Sequence, residues 1–594
     1  MAAVDSSYST PKWWKEAVVY QIYPASFQCH SGVTSGWGTV KGITSRLDYL
    51  KSLGVDVVWS SPILKSPQAD MGYDIADYKK IDERYGSLED VDELVAELKK
   101  RDMKLMMDLV VNHSSNEHPW FLESRSSLDS PKRDWYIWKK PKSVGPDGLP
   151  EPPNNWAQIL GEANSAWTYD EKTAEFYLSL FTPEQPDLNW ENPEVRKAVW
   201  DVMHFWMKRG ASGFRMDVIN LISKDPEYPD ADVVLGPGHK YQPGTKYFVN
   251  GPKLHDYLHE MHEEVLGKYD TITVGEMPGV SDVKEVIRSV GANSEELRMI
   301  FIFDLVDIDK PNVRMALKPW DVKEMKSIIT KWQRAMIEND GWNSVFIENH
   351  DNPRSVSRYT NDSDEWRTKG AKLLSIMQTT LGGTLFVYQG EEIGLRNIPP
   401  TWDISEFKDI ETINYWKKCL QLYSDDKEKL AYGRKIIDMK ARDHARTPMQ
   451  WNAKDNAGFC DADTKPWMRV VDDYKTVNVE AQLAADDPNE HSVWQFWQEA
   501  LKRRKDHADV FVYGDFQELA AEHADVFAYV RTSIEGERWL VILNFSGKEL
   551  EWTVPREFEV ESWICGNYGK GVPDKPKQSG VPLKPWEGVV GKCR

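Results

Sequence analysis

DVDELVAELKKRDM (90–103) runs straight into KLMMDLVV (104–111), and the change of rhythm at that junction decides the fold. The first stretch is amphipathic with helical periodicity; the second is a short, nearly unbroken apolar run of the kind a buried strand shows. Seven further runs of that kind punctuate residues 17–390: AVVYQIY (17–23), VDVVWSS (55–61), GFRMDVI (213–219), TITVGE (271–276), MIFIFDLV (299–306), SVFIEN (344–349) and TLFVYQG (384–390). Strands separated by amphipathic crossovers predict parallel pairing. Eight of them predict a closed (β/α)8 or TIM barrel, an α/β fold, in preference to an open sheet.

Two gaps are too long for simple crossovers. Residues 114–187, rich in Pro, Trp and Asn and containing KKPKSVGPDGLPEPPNNW, read as a small domain inserted after the third strand. A second excursion, 391–450, follows the eighth run. The character then changes: DVFAYVRTS (525–533), RWLVILNFS (538–546) and LEWTVP (550–555) alternate apolar and polar residues, the mark of an antiparallel β-domain. The expected division is 1–113 and 188–511 for the two parts of the barrel, 114–187 for the insert and 512–594 for a C-terminal β-sandwich.

The 594 residues include 41% apolar and 28% charged positions, enough for a large core and more than one domain. A formal net charge of −20 argues against a polyanionic partner such as nucleic acid and suits neutral or cationic small molecules. Five cysteines (29, 419, 460, 565 and 593), odd in number and without CxxC pairs, suggest neither a disulfide framework nor a thiolate metal site. MAAVDSSYSTPKWWKEAVVY lacks the basic-then-apolar order of a signal peptide. No segment approaches the roughly 18 apolar residues of a membrane span. A soluble, cytoplasmic protein is expected, and the sequons at Asn112, Asn361 and Asn544 then carry no meaning. The 26 tryptophans suit sugar rings, but packing accounts for most tryptophans in any protein.

In a barrel of this kind, functional groups project from the C-terminal ends of the strands. The third run carries Asp108 and leads to Asn112 and His113. The fourth ends in Arg215 and Asp217, the fifth in Glu276, and the seventh leads to His350 and Asp351. Each has a bland explanation, as a cap, a salt bridge or a packed histidine. Their collection at one mouth points instead to glycoside hydrolysis. That chemistry needs one carboxylate to attack the anomeric carbon and a second, protonated one to donate to the leaving oxygen. Arg215 is expected to keep Asp217 ionised, and an apolar, carboxylate-rich pocket to raise the pKa of Glu276.

The chain resembles the α-amylase family of glycoside hydrolases, in its oligo-1,6-glucosidase/maltase branch. The resemblance rests on WWKEAVVYQIYPASF, GYDIADY, DLVVNH, QPDLNW, GFRMDVIN, GEMPG, FIENHD, YQGEEIG and ARDHARTPMQW, nine motifs in family order across nearly the whole chain. It implies Asp217 as nucleophile, Glu276 as general acid/base and Asp351 as transition-state stabiliser. His113, His350 and Arg215 match contacts to the glucose ring. Tyr73 and Asp74 of GYD, with Arg446, match residues that grip the non-reducing end, and Arg442 is a second candidate for that grip. A substrate-binding tyrosine at position 77, in the same GYDIADY motif, is not applicable here. The implied partner is a small oligosaccharide such as isomaltose or maltose, no cofactor is called for, and the chain is expected to be a monomer or weak homo-oligomer.

Members of this branch commonly carry a calcium loop of the type DxNxDGxGDLKGI. Here QCHSGVTSGWGTVKGI (28–43) keeps GWG and KGI but has no carboxylate, so no calcium is expected, and Cys29 and His30 are too little for zinc. Val218, directly after the nucleophile, implies by resemblance a preference for α-1,6 over α-1,4 linkages; its reading as a plain strand residue stays open. The activity expected is retaining, exo-acting and able to transfer glucose to other acceptors. Alternatives are a maltase or sucrose-cleaving enzyme, a trehalose-6-phosphate hydrolase, a carbohydrate-binding scaffold without turnover, and a catalytically silent transporter partner; the last lacks support because all three carboxylates are kept and no span is present.

Overall fold

A computed structural model describes residues 7–161, 164–236, 239–311, 314–487, 489–577 and 579–594. The first six residues of the N-terminal stretch read above lie outside it. In the 90–103 region the helix runs Leu88–Lys100. Ser87 caps it through a reciprocal box with Asp90, and Val91, Leu94 and Leu98 form its buried stripe. Met103 N–H returns to the Leu98 carbonyl at 2.9 Å, which closes the helix and launches the strand.

Eight parallel strands follow the predicted runs: β1 Val18–Ile22, β2 Val57–Ser60, β3 Lys104–Val110, β4 Ala211–Asp217, β5 Ile272–Glu276, β6 Met299–Phe301, β7 Ser344–Val345 and β8 Thr384–Tyr388. Their order, β6-β5-β4-β3-β2-β1-β8-β7, is that of a barrel opened at one seam. Across the seam Ser344 Oγ donates to the Ile300 carbonyl at 2.7 Å. The fold is a TIM barrel. Two strands are far shorter than their apolar runs. Past Phe301 the chain turns out at the mouth, with Asp307 N–H on the Phe303 carbonyl at 2.7 Å. Past Val345, Phe346 and Ile347 stay buried without pairing in the sheet. Apolar character there registers burial rather than strand pairing. Gly213 is required by closeness: a Cβ on it would stand 1.7 Å from the Ile272 carbonyl oxygen of β5.

The segment after β3 forms a three-stranded antiparallel sheet (Trp138–Lys139, Glu175–Leu178, Trp167–Asp170). Its Trp156, Trp167 and Phe176 share a core with Val218, Leu221 and Phe248, so the insert packs directly over the end of β4. The excursion after β8 contains the helices Ile410–Tyr423 and Lys427–Lys440, then a tight turn, Arg442–Arg446. At the C-terminus five antiparallel strands form one sheet, in which Val526–Thr532 and Arg538–Asn544 are buried on both faces rather than alternating apolar with polar surroundings. Phe527, Tyr529, Val541 and Leu543 belong to the barrel's core, while Val526, Ala528, Val530, Leu540 and Ile542 pack with Trp552 and Val581 on the other face. Among the described residues no helix is long and apolar enough to cross a membrane.

Candidate active site

The three parallel strands β3, β4 and β5 stand side by side, with Arg215 in register with Asp108 and Val274. Arg215 is 1% exposed, and its guanidinium faces three carboxylates at once. Nη1 donates to Asp108 Oδ1 at 2.9 Å and to Asp217 Oδ1 at 2.8 Å; Nη2 donates to Glu276 Oε2 at 2.5 Å. The same Glu276 oxygen accepts the N–H of Val218 at 3.1 Å. Val218 is therefore not a strand residue. It lies just past β4 with φ +35°, in the left-handed region that β-branched residues rarely enter.

One cation cannot neutralise three buried carboxylates. Burial pushes the Asp217 carboxyl well above the ordinary range; Arg215 opposes this, and the negative charges of Glu276 and Asp108 add to it. Burial likewise raises Asp108 to about 6 against the pull of Arg215. The expectation that Arg215 keeps Asp217 ionised is corrected here, because burial and the neighbouring carboxylates outweigh it.

Asp351 has the opposite surroundings. Burial raises its carboxyl, but the facing His350 and the guanidinium groups of Arg442, Arg446 and Arg314 outweigh that and hold it well below the usual range. Burial lowers His350 to about 3, so its ring is neutral at neutral pH and the arginines carry the effect. Gln21 Nε2 lies 2.8 Å from His350 Nδ1 and donates to it, which leaves the Nε2 proton facing Asp351 Oδ2 at 3.6 Å. The ring stacks on Tyr73 at 5.3 Å, and Tyr73 donates its hydroxyl to Asp108 Oδ2 at 3.1 Å. His113 donates from Nε2 to the Tyr73 carbonyl at 3.0 Å and accepts from Asn112 Nδ2 at Nδ1. Burial lowers its pKa as well.

A cavity of about 260 Å³ opens over this cluster, and Tyr73, His113, Asp217, Val218, Glu276, Asp351 and Arg442 line it. Arg215, His350 and Arg446 lie behind that wall. Asp74 does not reach the cavity: it is fully buried, its carboxylate accepts the N–H groups of Ala69 at 2.9 Å and Asp70 at 3.1 Å, and burial raises it to about 6. The carboxylate that faces the cavity from this loop is Asp70, paired with Arg442 Nη2 at 2.9 Å. Of the two arginines, Arg442 lines the cavity, whereas Arg446 braces it from outside through Asp351 at 2.7 Å and the His350 carbonyl at 3.0 Å.

Position 77, where a tyrosine is set aside as not applicable, is Asp77, and it makes no part of the cavity wall. Asp77 opens the short strand Asp77–Ile81, where its carboxylate accepts the Lys79 N–H at 3.0 Å and faces Lys80 at 3.3 Å. The tyrosine beside it, Tyr78, points the other way across the strand. Its hydroxyl donates to the His113 carbonyl at 3.1 Å and steadies that histidine from behind.

Three supporting residues are not singled out in the sequence, although Gln185 opens the QPDLNW motif. Asp409 caps the helix Ile410–Tyr423 and receives both Arg442 and Arg446. Gln185 joins Asp70 at 3.2 Å to the Tyr73 carbonyl at 3.3 Å. Lys224, buried to 2% at its side chain, places its ammonium between Asp187 Oδ1 (3.0 Å), Asn112 Oδ1 (3.0 Å) and the Leu221 carbonyl (2.7 Å), and so fixes the asparagine that orients His113. In the corner formed by the 28–43 loop the polar groups are engaged by one another. Gln28 Nε2, an amide donor, occupies the focus of the Cys29, Gly458 and Phe459 carbonyls, and the carboxylate of Asp461 accepts the Gly32 N–H at 3.0 Å.

Residues 21–514 match the family described as alpha amylase, catalytic domain. The chain belongs to the α-amylase family. It is 44% identical over 594 residues to an alpha-glucosidase of Schizosaccharomyces pombe, covering 100% of both chains. It is 45% identical to an oligo-1,6-glucosidase of Parageobacillus thermoglucosidasius, over 98% of this chain and 99% of that one. The crystal structure of a trehalose-6-phosphate hydrolase from Bacillus licheniformis superposes with a TM-score of 0.88 at 40% identity, over 98% of this chain and 100% of that one. This α-amylase-family chain is a glycoside hydrolase of the oligo-1,6-glucosidase/α-glucosidase branch.

Proposed function

We propose that the enzyme is a retaining, exo-acting α-glucosidase that releases glucose from the non-reducing ends of short oligosaccharides, with a preference for α-1,6 linkages. The observation that carries the reading is the single guanidinium of Arg215 holding Asp217 and Glu276 on one planar fork. A shared fork suits the close separation, about 5–5.5 Å, of a nucleophile and acid/base pair, rather than the wider pair that leaves room for a water. Asp217 attacks the anomeric carbon while Glu276 protonates the departing oxygen. Glu276 then takes a proton from the incoming water as the glucosyl–Asp217 bond breaks. Asp351, held ionised by its arginines, balances the positive charge that builds on the sugar ring. Capture of the intermediate by a sugar hydroxyl in place of water gives transglucosylation.

The pairing of Asp70 with Arg442 closes the cavity behind the terminal glucose and supports exo-action. On the aglycone side the cations are already spoken for: Lys310 faces Asp307 at 3.1 Å, Arg314 faces Glu411 at 3.1 Å and Lys440 faces Asp309 at 2.5 Å. That favours a neutral leaving sugar over a phosphorylated one. The five cysteines, free and buried, suit a reducing compartment, and the cytoplasm is the location we assign. The test is the anomeric form of the first glucose released, read by NMR before mutarotation. The α-anomer is expected. The β-anomer would overturn the retaining mechanism, and glucose release from trehalose 6-phosphate ahead of isomaltose would overturn the substrate class.

A further inference from the structure

Two rim segments distant in the chain, the 28–43 loop after β1 and residues 452–466, are laced together at one corner. Cys29 N–H donates to the Phe459 carbonyl at 2.9 Å, Gln28 Nε2 donates to the same carbonyl at 2.8 Å, and Trp467 N–H donates to the Gly36 carbonyl at 2.9 Å. Inside this lacing Cys29 and Cys460 form a small cluster of their own with Phe459. They are 4% and 8% exposed and pack against each other there, while each thiol donates to a backbone carbonyl, Cys29 Sγ to Trp37 at 2.7 Å and Cys460 Sγ to Thr464 at 3.3 Å. The remaining cysteines lie elsewhere, Cys419 in the helix Ile410–Tyr423 and Cys565 and Cys593 in the C-terminal sheet.

We propose that Cys29 and Cys460 are a redox-responsive pair, which closes to a disulfide and fastens the carboxylate-free 28–43 loop to the 452–466 segment. Backbone contact between the neighbours of both residues already supplies the approach such a bond needs. The oxidant class is a low-molecular-weight disulfide such as glutathione disulfide. Cys460, the more exposed sulfur, attacks one sulfur of that disulfide and expels one thiolate. Cys29 then attacks Cys460 in the mixed disulfide and expels the second. Two cysteine thiols are oxidised, one glutathione disulfide is reduced, and the two protons end on the two glutathione thiols. The nearness of the two thiols lowers that of Cys460 and, with burial, raises that of Cys29, which agrees with attack by the more exposed Cys460 first.

The bond reaches the site through packing. The 452–466 segment carries Asn456 at φ +52° and Ala457 at φ +55°, and leads to Trp467. Trp467 Nε1 donates to Ser26 Oγ at 3.0 Å, and Ser26 Oγ donates to the Arg446 carbonyl at 2.5 Å. Fastening this corner holds the Arg446 support without adding any group to the reaction.

The test equilibrates the full chain in glutathione buffers from reduced to oxidised, both at ambient temperature and just below its unfolding transition, where burial no longer limits access. Remaining thiols are alkylated after denaturation and the peptides mapped. Titratable thiols should fall from five to three. The cross-link should join Cys29 to Cys460 alone, and the half-life of activity at elevated temperature should lengthen on the order of several-fold. Cys29→Ser and Cys460→Ser should each abolish both effects, while Cys419→Ser keeps them. Five alkylated thiols at every poise and both temperatures overturn the proposal. A cross-link through another cysteine, or an oxidised chain that loses activity as fast as the reduced one, overturns it equally.

Discussion

Val218 carries a φ of +35° directly after Asp217, and a β-branched residue there costs about 1–2 kcal/mol of backbone strain. Its N–H donates to Glu276, so the strain is tied to the position of the proposed acid. The side chain itself lines the cavity, where, on the proposed reading, a methyl in place of a hydroxyl alters how the leaving sugar is held. Val218→Thr should lower the ratio of kcat/KM for isomaltose over maltose by about tenfold, a difference of ~1–3 kcal/mol, with little change in fold. Asp108 acts at a distance through charge. It raises the Asp217 carboxyl, so Asp108→Asn should move the acid limb of the kcat/KM profile to lower pH. An unmoved limb would show that Asp108 does not bear on the titrating group. The spacing of Arg215 and Asp217 is legible in the sequence; the balance between them is not. Three carboxylates meet one guanidinium only because β3, β4 and β5 are neighbours. Asp70 is hidden for a simpler reason, since it stands four places before Asp74 on the same loop and only the chain path shows which one faces inward.

At the scale of elements, the junction of the insert with the barrel rests on a buried ammonium. Lys224 spans Asp187, which opens the return from the insert, and Asn112, which follows β3. Lys224→Met leaves Asp187 buried without its cation, which should cost about 3–5 kcal/mol and appear as a lower Tm. Adding Asp187→Asn to it should recover most of that loss. If the single and double variants melt alike, the pair is not what joins the two parts. Six of the eight strands can be placed from their apolar runs to within about two residues. β6 and β7 cannot, because MIFIFDLV and SVFIEN remain buried after they stop pairing and composition does not distinguish the two conditions. Asp409 is illegible for another reason. Its capping role and its grip on Arg442 and Arg446 depend on how the Ile410–Tyr423 helix docks.

Across the whole molecule the barrel and the C-terminal sheet share one core, with Tyr529 and Leu543 packed in the same cluster as the barrel strands. Lys326, on the barrel-side helix Val322–Glu338, donates to the carbonyls of His523 and Val526 at 2.7 and 3.0 Å. Thermal unfolding should therefore be a single calorimetric transition for barrel and sheet; two resolved transitions would mean that the shared core does not couple them. The runs at 525–533 and 538–546 foretell the sheet, whereas 550–555 pairs with Ser579–Leu583 in a separate two-stranded sheet; the first two strands are buried on both faces, with alternate residues facing two different cores. On the proposed reading, the whole assembly positions one glucose unit against Asp217 and Glu276 with Val218 beside the leaving sugar. The most direct measurement is kcat/KM for glucose release from isomaltose and from maltose under identical conditions. An advantage of about tenfold or more for isomaltose is predicted. An advantage for maltose would contradict the linkage assignment, and release from neither would contradict the α-glucosidase reading itself.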